Sequence, residues 1–349
     1  MHDPRCPRIP PAVASEARPF WSVMIPHYNR TQFLERTLRS VLAQDAGAKD
    51  MQIEVVDDSS CTDDPEPEVR RIAGNRVTFY RQPQRLGVPG NWNSCVERSR
   101  GHWVHILHSD DFVLPGFYER LRQALCSRDD LGAAFCRHMF VDQAGFQRAL
   151  SPLERQTAGT LPGFLESIGV SQRVQCAAMV VRRRVYEKLG GFRAELRYTP
   201  DWEMWTRIAA EYPIWYEPSP LAAFCIHSQS YTAQLAQLGR QVPDMRRCIE
   251  ICRPYLPPHR AAAISSRARN EAALWALEQA GAAVRDGRYA AALRYAREGL
   301  RTSSSLRVCT ALLAETASLA KGGFRRAYRI VRRKGRLHRK LRDPAPNEK

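Results

Sequence analysis

"FWSVMIPHYNRTQFLERTLRSVLAQ", residues 20–44, decides the fold. It opens on a short apolar run, 20–26, that stops at a proline and reads as a buried strand. Behind it Phe33, Leu34, Leu38, Val41 and Leu42 recur at helical spacing, with Thr31 placed to cap them. A strand running straight into an amphipathic helix is half of a crossover unit, and the chain repeats it. "MQIEVVDDSS" (51–60) is a strand followed by a helix over 65–74. "RVTFYRQ" (76–82) is a strand, "LGVPGNW" (86–92) a loop, and "NWNSCVERSR" (91–100) begins a helix. "HWVHIL" (102–107) is a strand and "LPGFYERLRQAL" (114–125) a helix, with Pro115 near its first turn. Such alternation predicts an α/β fold with a mostly parallel central sheet flanked by helices.

Further on the rhythm changes. "GAAFCRHMFVD" (132–142) and "CAAMVVRRRVYEKLGGF" (176–192) each supply a strand, the second with a short helix ending at Gly190-Gly191. "TPDWEMWTRIAAEY" (199–212) is a helix, and "PIWYEP" (213–218) and "LAAFCIH" (221–227) read as two closing strands. From about 243 the pattern is helical, with Ala-rich segments 261–284 and 288–301. Phe324, Ala327, Tyr328 and Val331 then line one side of a basic amphipathic helix. The expected organisation is a disordered leader (1–18), a catalytic domain (19–235), an all-helical appendage (243–320) and a basic amphipathic tail (321–349).

Charge is unevenly placed. Eleven Lys/Arg and no acid fall within 321–342, so the rest of the chain carries only +6 of the net +17. The basicity belongs to the tail and fits an anionic membrane surface rather than a nucleic-acid-binding core. No apolar run is long enough to cross a membrane, and the proline-rich leader lacks the apolar stretch of a signal peptide. These features predict a cytoplasmic protein, peripheral at the inner face of the plasma membrane. The ten cysteines contain no CxxC pair and read as reduced and mostly buried.

In a sheet of this kind ligands bind beyond the carboxyl ends of the strands. Two acidic pairs, Asp57-Asp58 and Asp110-Asp111, fall at such ends and should share one rim. Adjacent carboxylates repel, so Asp110 and Asp111 need an opposing cation unless they merely cap a helix. Hard oxygen ligands suit Mg²⁺ or Mn²⁺ with a diphosphate behind it. Asp58 could accept hydrogen bonds from a base or a ribose. No GxGxxG or P-loop lysine is present, so dinucleotide oxidoreductases and nucleoside triphosphatases lack their phosphate cradle. Asp201, at a helix start, either answers the helix dipole or serves as a general base, with Glu203 its neighbouring competitor. His105 and His108 should point to opposite faces of a strand, which argues against a zinc site. His227, after an apolar strand, could add a metal ligand or a phosphate contact.

Taken together, "SVMIPHYNRTQFLERTLRSVLAQ", "IEVVDDSS", "LGVPGNWNSCVERSRGHWVHILHSDD", the "GGF" at 190–192 and "DWEMWTRIA" resemble the family 2 glycosyltransferases over about residues 20–230. The resemblance implies a GT-A-type nucleotide-binding fold and an inverting transfer of sugar from a nucleotide-diphosphate sugar, UDP-linked, to a hydroxyl of a glycan or lipid-linked acceptor in surface polysaccharide synthesis. It implies that Pro26 to Asn29 lie against the base with Tyr28 stacked on it, and that Asp58 bonds the base. Asn93 falls in the donor region, Asp110 approaches ribose or sugar, and Asp111 binds Mg²⁺ or Mn²⁺. Asp201 matches the catalytic base, and "CIHSQS" the late His-containing loop. A nucleotidyltransferase or sugar-nucleotide synthase is the first alternative, disfavoured because no glycine follows the first strand. A non-catalytic nucleotide-binding module is the second, disfavoured by Asp201 beside the acidic pairs.

Overall fold

The protein's structure is a computed structural model that describes residues 5–12 and 17–314. Its sheet grows around β1 (Trp21–His27), all seven residues of which are buried. A 3₁₀ turn at Thr31–Phe33 leads into α1 (Leu34–Leu42), which buries Leu34, Thr37, Leu38 and Val41. β2 (Met51–Asp57), α2 (Glu66–Ala73), β3 (Thr78–Arg81), α3 (Gly87–Arg98), β4 (Trp103–Ile106), β5 (Phe112–Val113) and α4 (Phe117–Leu125) continue the alternation. Then come β6 (Ala133–Asp142), β7 (Gln147–Leu150), β8 (Gly159–Thr160), α5 (Phe164–Ile168), β9 (Met179–Arg182), α6 (Arg183–Leu189), α7 (Pro200–Glu211) and β10 (Ile214–Ile226).

The strand order is β3-β2-β1-β4-β9-β6-β10-β5, with β7 beside β6 and β8 beside β10. β2, β1 and β4 pair in parallel, as do β2 with β3 and β6 with β10. β9 runs antiparallel to both β4 and β6, so all the longer strands point the same way. The expected α/β fold with a central sheet flanked by helices is present: β1, β2, β3, β4, β6 and β10 run one way, and β5, β7, β8 and the central β9 run against them. The carboxyl ends of β1, β2, β4, β6 and β10 therefore share one rim.

Pro26 shapes that rim. Its neighbour across β1 and β4 would be a bond to the Leu107 carbonyl, since Leu107 N–H already donates to Met24 O at 3.0 Å. Proline has no N–H, so the ladder ends there and the chain after β4 peels away into the 107–111 turn.

Three expectations change. The helix forecast from residue 91 begins at Gly87, because Asp58 accepts the Leu86 and Gly87 N–H groups at 2.6 and 2.9 Å and caps it from another strand end. The two closing strands are one, β10, which stays paired to β6 by bulging around Glu217, Pro220 and Ala222. The leader, expected to be disordered, is docked over its described part. Cys6 and Ile9 are buried, Gly191 N–H donates to Pro7 O at 2.8 Å, and Arg183 donates to Pro10 O at 3.1 Å. Two apolar side chains and two backbone carbonyls find partners there, which compositional reading of a proline-rich stretch does not see.

The described residues divide into two compact units, those up to 236 with 244–268, and 237–243 with 269–314. The helices that follow the sheet are α8 (Tyr231–Gln237), α9 (Gln241–Cys252), α10 (Pro258–Arg285) and α11 (Tyr289–Thr302). In the second unit Val242, Ala276, Ala280 and Tyr295 form a core, and Tyr295 O–H donates to Gln241 Oε1 at 2.7 Å. All ten cysteines are free thiols, seven of them buried. No helix among the described residues is long and apolar enough to cross a membrane. The basic tail expected over 321–349 lies outside the described residues.

Candidate active site

The rim is laced together before any ligand is considered. Asn29 and Arg30 after β1, and Ser59 after β2, all sit at positive φ (54°, 65° and 60°), a conformation that costs non-glycine residues about 1 kcal/mol or more each. Cross-links hold them there. Asn29 Oδ1 accepts the Cys61 and Thr62 N–H groups at 3.0 and 3.2 Å, Asn29 N–H donates to Ser60 Oγ at 2.7 Å, and Thr31 N–H donates to Asp63 Oδ2 at 2.7 Å. Tyr28 lies beside this lattice with the Arg85 guanidinium over its ring at 4.0 Å. One face of the ring expected to meet a base is thus covered by a cation in this structure.

Asp110 and Asp111 are answered by different groups. Asp110 Oδ2 meets His227 Nε2 at 3.0 Å and the Arg30 guanidinium at 3.6 Å. Burial pushes its carboxyl up, but the His227 hydrogen bond and the charges of His108 and Arg30 bring it below its ordinary value. Asp111 is fully buried; its Oδ1 accepts the Cys225 N–H at 2.9 Å and its Oδ2 lies 3.4 Å from His108 Nδ1. Burial, reinforced by Asp110, raises it to about 6 against the opposing pull of His108 and the Cys225 amide. The backbone is pinned by Thr37, whose hydroxyl meets the Asp111 carbonyl at 2.6 Å and the Ser109 carbonyl at 2.9 Å.

His108 joins this cluster without His105, whose ring nitrogens meet the Tyr118 hydroxyl and the Ala177 carbonyl at 3.1 Å each, so the two histidines do diverge as expected. β4 ends at Ile106, so His108 is in the turn, stacked on Trp92 with ring centroids 4.9 Å apart. Ligand atoms of His108, Asp110 and Asp111 lie within 4.8 Å of one another. Asp111 Oδ2 and His108 Nε2 are buried and have no hydrogen-bond partner among the described residues. Once His108 gives up its proton, these two atoms beside the Asp110 carboxylate offer two carboxylates and one imidazole, which fit a hard divalent ion, Mn²⁺ more comfortably than Mg²⁺ because of the nitrogen. His227, expected as a metal ligand, lies beside that set, its Nε2 3.0 Å from Asp110 Oδ2.

Asp201 enters from the start of α7. Its Oδ1 accepts the Trp202 N–H at 2.8 Å, its Oδ2 accepts Gln172 Nε2 at 2.7 Å, and the Cys176 thiol approaches at 4.0 Å. Burial raises its carboxyl to about 6, opposed by the Trp202 amide, the His108 charge and Gln172. Asp201 and Asp111 both act on the titration of His108 and of Cys176, so the two carboxylates share one electrostatic neighbourhood. The competitor Glu203 does not join it. Its carboxylate accepts Arg193 Nε at 3.2 Å, Tyr255 O–H at 2.9 Å and Arg207 at 3.0 Å, a closed structural cluster.

Two further expected residues have structural partners. Both Asp58 oxygens accept the amides that open α3; burial nonetheless lifts its carboxyl, with the Leu86 and Gly87 hydrogen bonds opposing. Asn93 spans the Phe192 peptide, donating to its carbonyl at 2.9 Å and accepting its N–H at 2.7 Å. This clamp requires glycine at 191, where a Cβ would come within 2.2 Å of Asn93 Oδ1. Pro26 is buried within β1, beneath the Tyr28–Asn29 loop. Gln172 and Arg85 carried no sequence signal, because only tertiary packing brings them to the rim.

The model of glycosyl transferase family 2 matches residues 22–190. An uncharacterized protein of Mycobacterium tuberculosis is 28% identical over 273 residues, 74% of this chain and 82% of its own length. The GalNAc(5)-diNAcBac-PP-undecaprenol beta-1,3-glucosyltransferase of Campylobacter jejuni is 33% identical over 30% of this chain, which spans 34% of that protein's length. The succinoglycan biosynthesis protein ExoO of Rhizobium meliloti is 30% identical over 45% of this chain and 44% of its own. Among solved structures, TarS of S. aureus in complex with UDP superposes with a TM-score of 0.57 at 16% identity, covering 82% of this chain and 91% of that one. The mannosyltransferase PcManGT from Pyrobaculum calidifontis, in complex with GDP-Man and Mn²⁺, gives 0.50 at 20% identity over 84% and 89%. These likenesses match the GT-A architecture, and the stretch that the family model covers supplies most of the rim. The likeness to glycosyl transferase family 2 lies in residues 22–190, just under half of the chain, and the chain's named relatives include a glucosyltransferase.

Proposed function

We propose that the chain transfers a sugar from a nucleoside-diphosphate sugar, UDP-linked, to a hydroxyl acceptor with inversion at the anomeric carbon. One observation carries the reading: a buried carboxylate raised to about 6, Asp201, shares a neighbourhood with the His108, Asp110 and Asp111 cluster at the carboxyl rim. In this reading Asp201 is the general base. It takes the proton of the acceptor hydroxyl as that oxygen bonds to the anomeric carbon, while the bond to the diphosphate oxygen breaks and its electron pair leaves with the diphosphate. His108, Asp110 and Asp111 would hold Mg²⁺ or Mn²⁺. When bound, the ion supplies Lewis-acid stabilisation of the diphosphate. Gln172 holds the base in place, and Arg30 brings a positive charge to the Asp110 side. Tyr28, Asn29, Pro26 and Asp58 form the base end, where Arg85 covers one face of the Tyr28 ring. Asn93 contributes by shaping the loop at 191–192.

The names of the relatives support a glycan or lipid-linked acceptor in surface polysaccharide synthesis, since one acts on an undecaprenol-linked glycan and another serves succinoglycan biosynthesis. A cytoplasmic protein, peripheral at the inner face of the plasma membrane through 321–342, fits such an acceptor. The test is release of nucleoside diphosphate from UDP-glucose, UDP-GlcNAc or GDP-mannose in the presence of Mn²⁺. Mn²⁺-dependent release from a UDP-sugar supports the reading. Pyrophosphate release, or no turnover with any of the three, counts against it.

A further inference from the structure

The segment that follows the sheet reaches back to the turn that presents Asp201. Asp244, on α9, makes four hydrogen bonds to that turn. Its Oδ1 accepts Arg197 N–H at 3.0 Å. Its Oδ2 accepts Tyr198 N–H at 2.9 Å, Thr199 N–H at 2.9 Å and Thr199 Oγ1–H at 2.8 Å. The helix that carries Asp201 has no side-chain cap of its own from Thr199, whose hydroxyl is spent on Asp244. The conformation of residues 197–199 is therefore set from outside, by one carboxylate. The same segment continues the brace. The Cys248 thiol lies 4.0 Å from the Thr199 carbonyl, and Tyr255 O–H donates to Glu203 at 2.9 Å. Asp201 is two residues beyond Thr199, so a displaced turn displaces the carboxylate.

We propose that Asp244 is a positioning residue for the transfer step: it fixes the 197–199 turn so that the Asp201 carboxylate meets the acceptor hydroxyl. This rests on the reading of Asp201 as the base. It also makes residues 244–256 part of the catalytic module rather than of a separate appendage. Nothing in residues 244–256 comes from the stretch that the family model matches.

The test uses the full chain with UDP-glucose or whichever of the three donors turns over, and compares Asp244→Ala, Asp244→Asn and Asp201→Asn. Misplacing a reacting group by about 1 Å costs on the order of 100-fold. Asp244→Ala should lose about 10- to 100-fold in kcat, with the donor KM and the UDP dissociation constant within about twofold of wild type. Asp244→Asn can turn its single acceptor oxygen toward Tyr198 and Thr199, and should recover most of the loss. A general loosening would move KM and UDP binding together with kcat and would not be rescued by Asn. If Asp244→Ala does not fold, Asp244→Ser takes its place: a fall in kcat at unchanged KM that Asp244→Asn largely restores supports the proposal, and any other pattern overturns it. Wild-type kcat in Asp244→Ala, or equal loss of kcat and UDP binding, overturns the proposal while leaving the function intact. Retained turnover in Asp201→Asn overturns the reading of the base itself.

Discussion

Asp201 and Glu203 are two residues apart on one helix, both buried, and they have opposite surroundings. Glu203 is wholly inside, against two arginines and a tyrosine hydroxyl, so its charge is cancelled where it lies. Asp201 has an amide, a glutamine and a distant thiol, and no salt bridge among the described residues. Its carboxyl is held up at about 6 by burial. A buried acid fully matched by cations belongs to the architecture. A buried acid short of a cation is ready to change its protonation, which is what a base must do.

The comparison can be broken by exchanging the roles. Asp201→Asn should lower kcat by about 10²- to 10⁴-fold, the usual contribution of a general base, with little change in melting temperature. Glu203→Ala should do the reverse. Arg207 then loses its carboxylate and Arg193 keeps only Glu195, which costs about 3 kcal/mol, read as a fall in the chemical-denaturation midpoint, while the folded fraction keeps its specific activity. If Glu203→Ala lowers the activity of folded protein more than Asp201→Asn does, the assignment is reversed.

A smaller effect sharpens the contrast. Asp201 is raised from an ordinary 3.8 to about 6, and a base works in its ionised form. Activity should therefore be half-maximal at about pH 6, near full about one unit above it, and fall toward tenfold per unit below it. An acidic limb near pH 4 instead would mean that the working base is an ordinary exposed carboxylate.

The alternation of strand and helix was legible because each of the first elements shows its own period. The apolar run 20–26 became β1, and the 3.6-residue spacing of Phe33 to Leu42 became α1 with its 3₁₀ lead-in. The shared rim was legible too, because both acidic pairs end strands that run the same way. What escaped the sequence depends on distant partners. "LGVPG" reads as a loop until Asp58, on another strand end, caps it into a helix. β9 is a plain apolar strand whose reversed direction no local pattern encodes. Alternation separates His108 from His105, but the turn after Ile106 that sets His108 against Asp110 and Asp111 shows no period. Gln172 and Asp244 look like ordinary polar residues until the fold sets them against Asp201 and its turn.

The central claim is that separate acidic side chains divide one site between holding the nucleotide and moving the proton. Calorimetric binding of UDP with and without Mn²⁺, on wild type, Asp201→Asn and Asp111→Ala, addresses it most directly. The account predicts that Asp201→Asn binds UDP like wild type, and that Asp111→Ala loses the Mn²⁺-dependent part of the affinity. Wild-type Mn²⁺-dependent binding by Asp111→Ala, or parallel loss of binding in Asp201→Asn, would contradict it.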